Sequence, residues 1–172
     1  MVASTMSNPV SRLVEGKTNF IRASWDRLSP LPGGKRIFSA MIGRAAPYTG
    51  SIDGRVEQLE RGFARVSMRD RRAVRNHLDC VHAIALLNLA ELTGNIALSY
   101  TLPDDARFIV AGMSIDYLKK ARGTIYGVCR VPPVSSSARQ EYEVEVSLED
   151  ASGEVVARST LRTLVGPKKG SA

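Results

Sequence analysis

The chain has 172 residues, of which 44% are hydrophobic and 24% charged, an ordinary globular composition with the length for one substantial core. No apolar run approaches the roughly 18 residues of a membrane span, and two cysteines, Cys80 and Cys129, are too few for a disulfide scaffold and point to a reducing, cytoplasmic setting. The net charge of +7 lies wholly in the first half: residues 1–80 hold 14 Lys and Arg against 7 Asp and Glu, while residues 81–172 hold 10 against 10.

Residues 1–10 are small and polar and lack the charged, apolar and small-residue succession of a secretory signal. Arg12, Lys17, Arg22 and Arg27 with few acids are too weak a pattern for an organelle transit peptide. Residues 18–29 are expected to form a helix, with Ile21, Trp25 and Leu28 on one stripe and Pro30 as its stop. A Pro-Gly-Gly turn at 32–34 leads into a second amphipathic helix over 35–46, with Ile37, Phe38, Met41, Ile42 and Ala45 on one side. Gly33-Gly34-Lys35 lacks the spacing of a phosphate loop. Two strands are expected over 50–60 and 63–69, turning at Gly62. A basic loop follows, with Arg69, Arg71, Arg72 and Arg75. Such a run attracts phosphate-bearing partners or serves as solvated surface. Aromatic residues are 6% of the chain and do not interleave with it, which argues against a stacking platform for nucleic acid.

Residues 81–100 read as one helix roughly 30 Å long, apolar nearly all round and so buried on most sides. Strands are then expected over 107–118, 122–131, 139–149 and 154–165. The clearest runs from Glu141 to Glu149, where Tyr142, Val144, Val146 and Leu148 alternate with acids and Ser147. That alternation marks a half-buried antiparallel strand. A loop at 150–153 would pair Glu149 with Glu154, Glu145 with Arg158 and Glu141 with Arg162. Antiparallel strands with a segregated helix make the class α+β, a curved sheet wrapped around the long helix.

Glu91 is the only charged residue of that helix, and a carboxylate in apolar surroundings is kept by pairing or by function. Asn76 and His82 are the polar groups at its start. The order Asn76, His82 six residues on, and Glu91 nine further resembles the signature of hot-dog-fold acyl-CoA thioesterases of the phenylacetate (PaaI) type. Met113 to Gly123 resembles the strand and turn after the family's helix, and Ser152 to Ala157 its last hairpin. Ala83 and Ile84 stand where that family usually has Gly-Gly, and Lys119-Lys120 where it has a small or hydroxyl residue before Pro. The resemblance covers about residues 48–166, leaving 1–47 as an N-terminal helical extension and 167–172 as a flexible tail.

The resemblance implies hydrolysis of an acyl-CoA thioester, with Glu91, Asn76, His82 and Ala83 as catalytic positions. Thioester hydrolysis needs an oxyanion hole and a carboxylate. The helix start offers backbone N–H groups around Ala83 and Ile84. Glu91, however, is eight residues from Ala83, roughly 12 Å along the axis. One copy cannot aim both at a single carbonyl, whereas two helices of a symmetric dimer can. A homodimer, or a tetramer of dimers, is therefore expected. Arg72, Arg75, Lys119, Lys120 and Arg122 are candidates for the phosphates of coenzyme A, which enters as part of the substrate; no resident cofactor is expected. Two histidines and two separated cysteines do not make a metal site. The alternatives are a non-catalytic acyl-CoA-binding or regulatory hot-dog protein and a hot-dog dehydratase; a nucleic-acid binder rests on basicity alone.

Overall fold

The computed structural model describes residues 18–168; the expectations for residues 1–17 and for 169–172 of the tail lie outside them. In chain order the elements are α1 (Phe20–Leu28), α2 (Gly34–Ala45), α3 (Pro47–Gly50), β1 (Arg55–Glu60), β2 (Phe63–Met68), a 3₁₀ turn (Arg72–Val74), α4 (Ala83–Thr101), β3 (Ala106–Tyr117), β4 (Ile125–Arg130), β5 (Gln140–Glu149) and β6 (Val155–Pro167). The strands form one antiparallel sheet in the order β1-β2-β4-β5-β6-β3. It wraps α4, which packs against every strand of the sheet.

The core follows from the two periodicities. Along α4, Leu86, Leu89, Ala90, Ile96, Ala97 and Leu98 are buried. They meet the inward residues of the strands, among them Val66, Ile125, Val144, Val146 and Leu161. The helix lies unusually close to β4. A Cβ built on Gly127 would fall 2.2 Å from Oγ1 of Thr93, so only glycine fits beneath that turn of the helix.

The two N-terminal helices each complete something that the sheet and α4 leave open. Asn19 caps α1, accepting from the N–H of Arg22 at 3.0 Å, and its amide donates to Ser99 O at 2.6 Å and Leu102 O at 3.3 Å. Arg22 donates to Tyr100 O at 3.1 Å and also to Leu102 O. The last carbonyls of α4, which have no partner within the helix, are satisfied in this way by α1. Helix α2 lies along the free edge of β1. Ser39 Oγ accepts from the N–H of Val56 at 2.9 Å, and Lys35 donates to Glu57 O at 2.7 Å. Trp25 and Phe38 meet edge to face at 5.1 Å and join α1 to α2.

Three expectations need correction. The strand expected from residue 50 begins at Arg55, because Pro47 opens a further helical turn, α3. The strand expected from residue 122 begins at Ile125, since Gly123 takes a left-handed turn at φ 71°. The terminal hairpin pairs two residues off the expected register: Glu143 faces Arg162, Glu145 faces Thr160 and Ser147 faces Arg158. An irregularity between Leu148 and Glu149 sets Glu149 against Val155. A slip of two keeps every side chain on its face. Val144, Val146 and Leu148 are buried, Tyr142 is half-buried, and Glu143 and Glu145 are exposed, as expected. The pair of Glu141 with Arg162 persists diagonally at 3.6 Å.

Candidate functional site

One stripe of α4 is left uncovered by the sheet. Ile84 is 48% exposed, and Ala83, Leu87, Glu91 and Asn95 are half-buried, at the three- and four-residue spacing of a single helix face. Glu91 therefore lies at the edge of the core. Its Oε1 accepts from Asn95 Nδ2 at 3.5 Å.

His82 is the N-cap of α4, and its Nδ1 accepts from the N–H of Ile84 at 3.0 Å. The expectation of open N–H groups at both Ala83 and Ile84 is corrected here, because His82 occupies the second. The N–H of Ala83 has no partner among the described residues and points from a helix N-terminus, where negative charge is favoured. The Ala83 carbonyl accepts from Tyr117 Oη at 3.0 Å, which fastens the first turn of α4 to the end of β3. Burial pushes the Tyr117 hydroxyl above its usual pKa, which keeps it a donor. Tyr117 carries no motif signal; only its place at the end of a strand leading back towards the helix start marks it.

Asn76 does not project freely toward a substrate. Its Oδ1 accepts from the N–H of Leu78 at 2.9 Å and of Cys80 at 3.5 Å, and from Cys80 Sγ at 3.4 Å. Asn76 thus shapes the loop that delivers His82, and its Nδ2 has no partner among the described residues. The same loop is fixed by Asp70, whose side chain is 6% exposed. It accepts from Arg75 at 2.6 Å and from the N–H of Gly123 at 3.0 Å. The Arg75 guanidinium, helped by the Gly123 N–H, holds the Asp70 carboxyl below the usual carboxylate range.

The five basic residues singled out for phosphates divide accordingly. Arg75 bridges Asp70 and Asp79, the latter at 2.8 Å. Lys119 pairs with Glu154, and Arg122 donates to Asp79 O at 3.3 Å. Arg72 and Lys120 are exposed and have no partner among the described residues. The basic loop and the turn after β3 form one surface beside the start of α4, joined also by the Val81 N–H donating to Ala121 O at 2.9 Å. The described residues contain no group of three or more His, Cys, Asp or Glu able to hold a metal, and no helix among them is long and apolar enough to cross a membrane.

A family model described as a domain of unknown function, DUF4442, matches residues 34–165. The match takes in α2 as well as the sheet and α4. No curated protein matches the chain. Among solved structures, a structural-genomics target designated APC5556 is 32% identical, with a TM-score of 0.76 over 86% of this chain and 99% of that one. A Pseudomonas aeruginosa protein of unknown function, described as a probable thioesterase, is 25% identical, with a TM-score of 0.69 over 80% and 97%. A Haemophilus influenzae thioesterase shares the fold, with 12% identity and a TM-score of 0.64 over 72% and 85%. The fold is the hot-dog fold, and the neighbours are mostly thioesterase-family proteins, as the sequence resemblance implies.

Proposed function

The chain belongs to the DUF4442 family, and on that premise we propose that it is a cytoplasmic acyl-CoA thioesterase acting at a composite site of a homodimer. The observation that carries this reading is the uncovered stripe of α4. It holds one open N–H donor at Ala83 and one carboxylate at Glu91, roughly 12 Å apart along the axis. Two copies of the stripe running in opposite directions bring the donor of each opposite the carboxylate of the other.

The sheet edges support the pairing. The β1 edge is closed by α2, whereas β3, the other edge, has no partner strand among the described residues. Met113 and Tyr117 of β3, opposite the buried Leu161 and Ala157 of β6, are 44% and 47% exposed, and Tyr117 reaches the Ala83 carbonyl. Exposed apolar side chains along an open edge are what a partner covers.

In this reading the Ala83 N–H and the helix dipole stabilise the charge that develops on the thioester oxygen. Glu91 takes the proton of the attacking water, the carbon–sulfur bond breaks, and the proton passes to the departing thiolate. Tyr117 holds the donor in place through the Ala83 carbonyl. Arg72 and Lys120, free of internal partners, meet the phosphates of coenzyme A, while Arg75, Lys119 and Arg122 shape the surface that presents them.

The test is turnover of a panel of acyl-CoA thioesters with short, long and aromatic acyl groups. Glu91→Gln keeps size and hydrogen bonding and lowers kcat by about 10² or more, the scale of a lost acid–base group. Undiminished turnover in Glu91→Gln would overturn the assignment. A second reading, a non-catalytic acyl-CoA-binding protein, is favoured by one observation: His82 already occupies the Ile84 N–H, which leaves a single donor where the related enzymes' Gly-Gly offers more room. Saturable binding of acyl-CoA with no turnover by the unaltered protein would select it.

A further inference from the structure

A cleft of about 940 Å³ opens between α2, α3, the start of β1 and the ends of β2 and β4. Its walls hold four arginines, Arg36, Arg44, Arg55 and Arg69, against two acids, Asp53 and Glu57. Arg55 lies 3.6 Å from Glu57, whose Oε1 also accepts from Ser67 at 2.8 Å. Arg36, Arg44 and Arg69 have no partner among the described residues. All three are exposed, and together they give the cleft a positive potential that attracts an anion.

The cleft is built by close backbone approach. A Cβ on Gly50 would fall 2.4 Å from the carbonyl oxygen of Gly43, so α3 folds tightly back on α2 only with glycine there. Beyond α3 the wall turns through Asp53, held at φ 52°, a left-handed conformation uncommon outside glycine. Arg71 donates to Ser51 O at 2.7 Å, which fastens the basic loop to the rim.

We infer that this cleft is a binding site for an organic phosphate of nucleotide size. Arginine forks suit phosphate oxygens. The volume falls within the range of roughly 300–1,000 Å³ typical of ligand pockets and is far larger than an inorganic ion needs. Tyr126 adds an aromatic ring to the wall, with the Arg65 guanidinium over one face of it at 4.3 Å from the centroid. The inference stands whether or not the protein hydrolyses thioesters.

The same chemistry is offered by a free nucleotide and by the nucleotide end of coenzyme A, and titration calorimetry on the full chain separates them. ATP, adenosine 3′,5′-bisphosphate, coenzyme A and pyrophosphate are titrated into the unaltered protein, into Arg36→Glu/Arg44→Glu, into Arg69→Glu, and into Arg107→Glu/Arg158→Glu, whose changed residues lie outside the cleft. Circular dichroism and thermal melts establish that each variant is folded, and the single change at Arg69 serves if the cleft double variant is not. The expected result is one nucleotide bound per chain, weakened tenfold or more by the cleft variants and less than twofold by the control, with pyrophosphate bound more weakly than ATP. Coenzyme A and adenosine 3′,5′-bisphosphate competing with ATP identify the nucleotide of coenzyme A, which would then lie here and not at Arg72 and Lys120; ATP binding alone identifies a free one. No binding of any nucleotide by the unaltered protein, or equal weakening by cleft and control variants, overturns the inference.

Discussion

Replacement of Gly127 by Ala tests how the sheet holds the helix that carries the site. The added Cβ would lie 2.2 Å from Thr93 Oγ1, 3.1 Å from its Cβ and 3.3 Å from its Cγ2. Rotation of Thr93 does not remove the crowding, because its Cβ, which rotation leaves in place, is itself only 3.1 Å from the added atom. The hydroxyl is itself fixed to Leu89 O at 2.7 Å, and Thr93 is fully buried. Gly127 does not lie in the left-handed region, so the cost arises from crowding alone. Overpacking of this kind costs about 1–3 kcal/mol, and the loss of unfolded-state freedom from Gly to Ala offsets about 0.4–1 kcal/mol. The net destabilisation is about 1–2 kcal/mol, a fall in Tm of about 2–8 °C for a chain of this size. Urea unfolding and calorimetry at fixed protein concentration measure it. Thr93→Ala should relieve the clash, so that Thr93→Ala/Gly127→Ala is no less stable than Thr93→Ala alone, a coupling of about 1–2 kcal/mol. An unchanged Tm in Gly127→Ala, or strictly additive effects in the double variant, would refute the close helix–sheet contact.

Tyr117→Phe removes the bond to the Ala83 carbonyl and should cost about 1 kcal/mol of stability or less; in a steady-state assay kcat should fall several-fold with KM little changed. Asp70 has a folded-state pKa below its unfolded value of 3.8. Its contribution to stability is therefore complete above that value and is lost as pH falls through the folded pKa. Asp70→Asn should lower stability at neutral pH and flatten this acid dependence in urea titrations between pH 7 and 2.5. Burial pushes the Cys129 thiol up to about 12, so it should resist a disulfide reagent at pH 8 in the folded protein and react once the chain is unfolded in denaturant.

The elements with strong periodicity were legible in the amino-acid order. The apolar run over 81–100 became α4, shifted by two residues at its start, because burial on most sides leaves no other placement for so many Leu and Ala side chains. The alternation from Glu141 to Glu149 fixed the faces of β5 but not its register, since a slip of two residues is silent in a period-two pattern. The spacing of Asn76, His82 and Glu91 is visible in the amino-acid order, and it places His82 at the start of α4 and Glu91 two turns further along it. What each does locally was not legible. Whether His82 caps the helix or faces outward depends on a loop shaped by Asn76 and Asp70, and those bonds span loops without periodicity. The same holds for Arg75, Lys119 and Arg122, whose charges show in the sequence while their partners do not. α3 passed unseen because four residues are too few for a helical period, although Pro47 at its first position is a recognisable start signal.

The unequal edges of the sheet also set how far strand pairing can run. Pairing through β3 would use the edge that has no partner strand among the described residues, and what then faces outward at either end is β1, with α2 laid along it. Growth by that route stops at two sheets, so the geometry that permits pairing also prevents a fibre. Ser39 and Lys35 act in this respect as chain terminators. Loss of the Ser39 hydroxyl would unmask the Val56 N–H and leave a second edge of the sheet open to pairing.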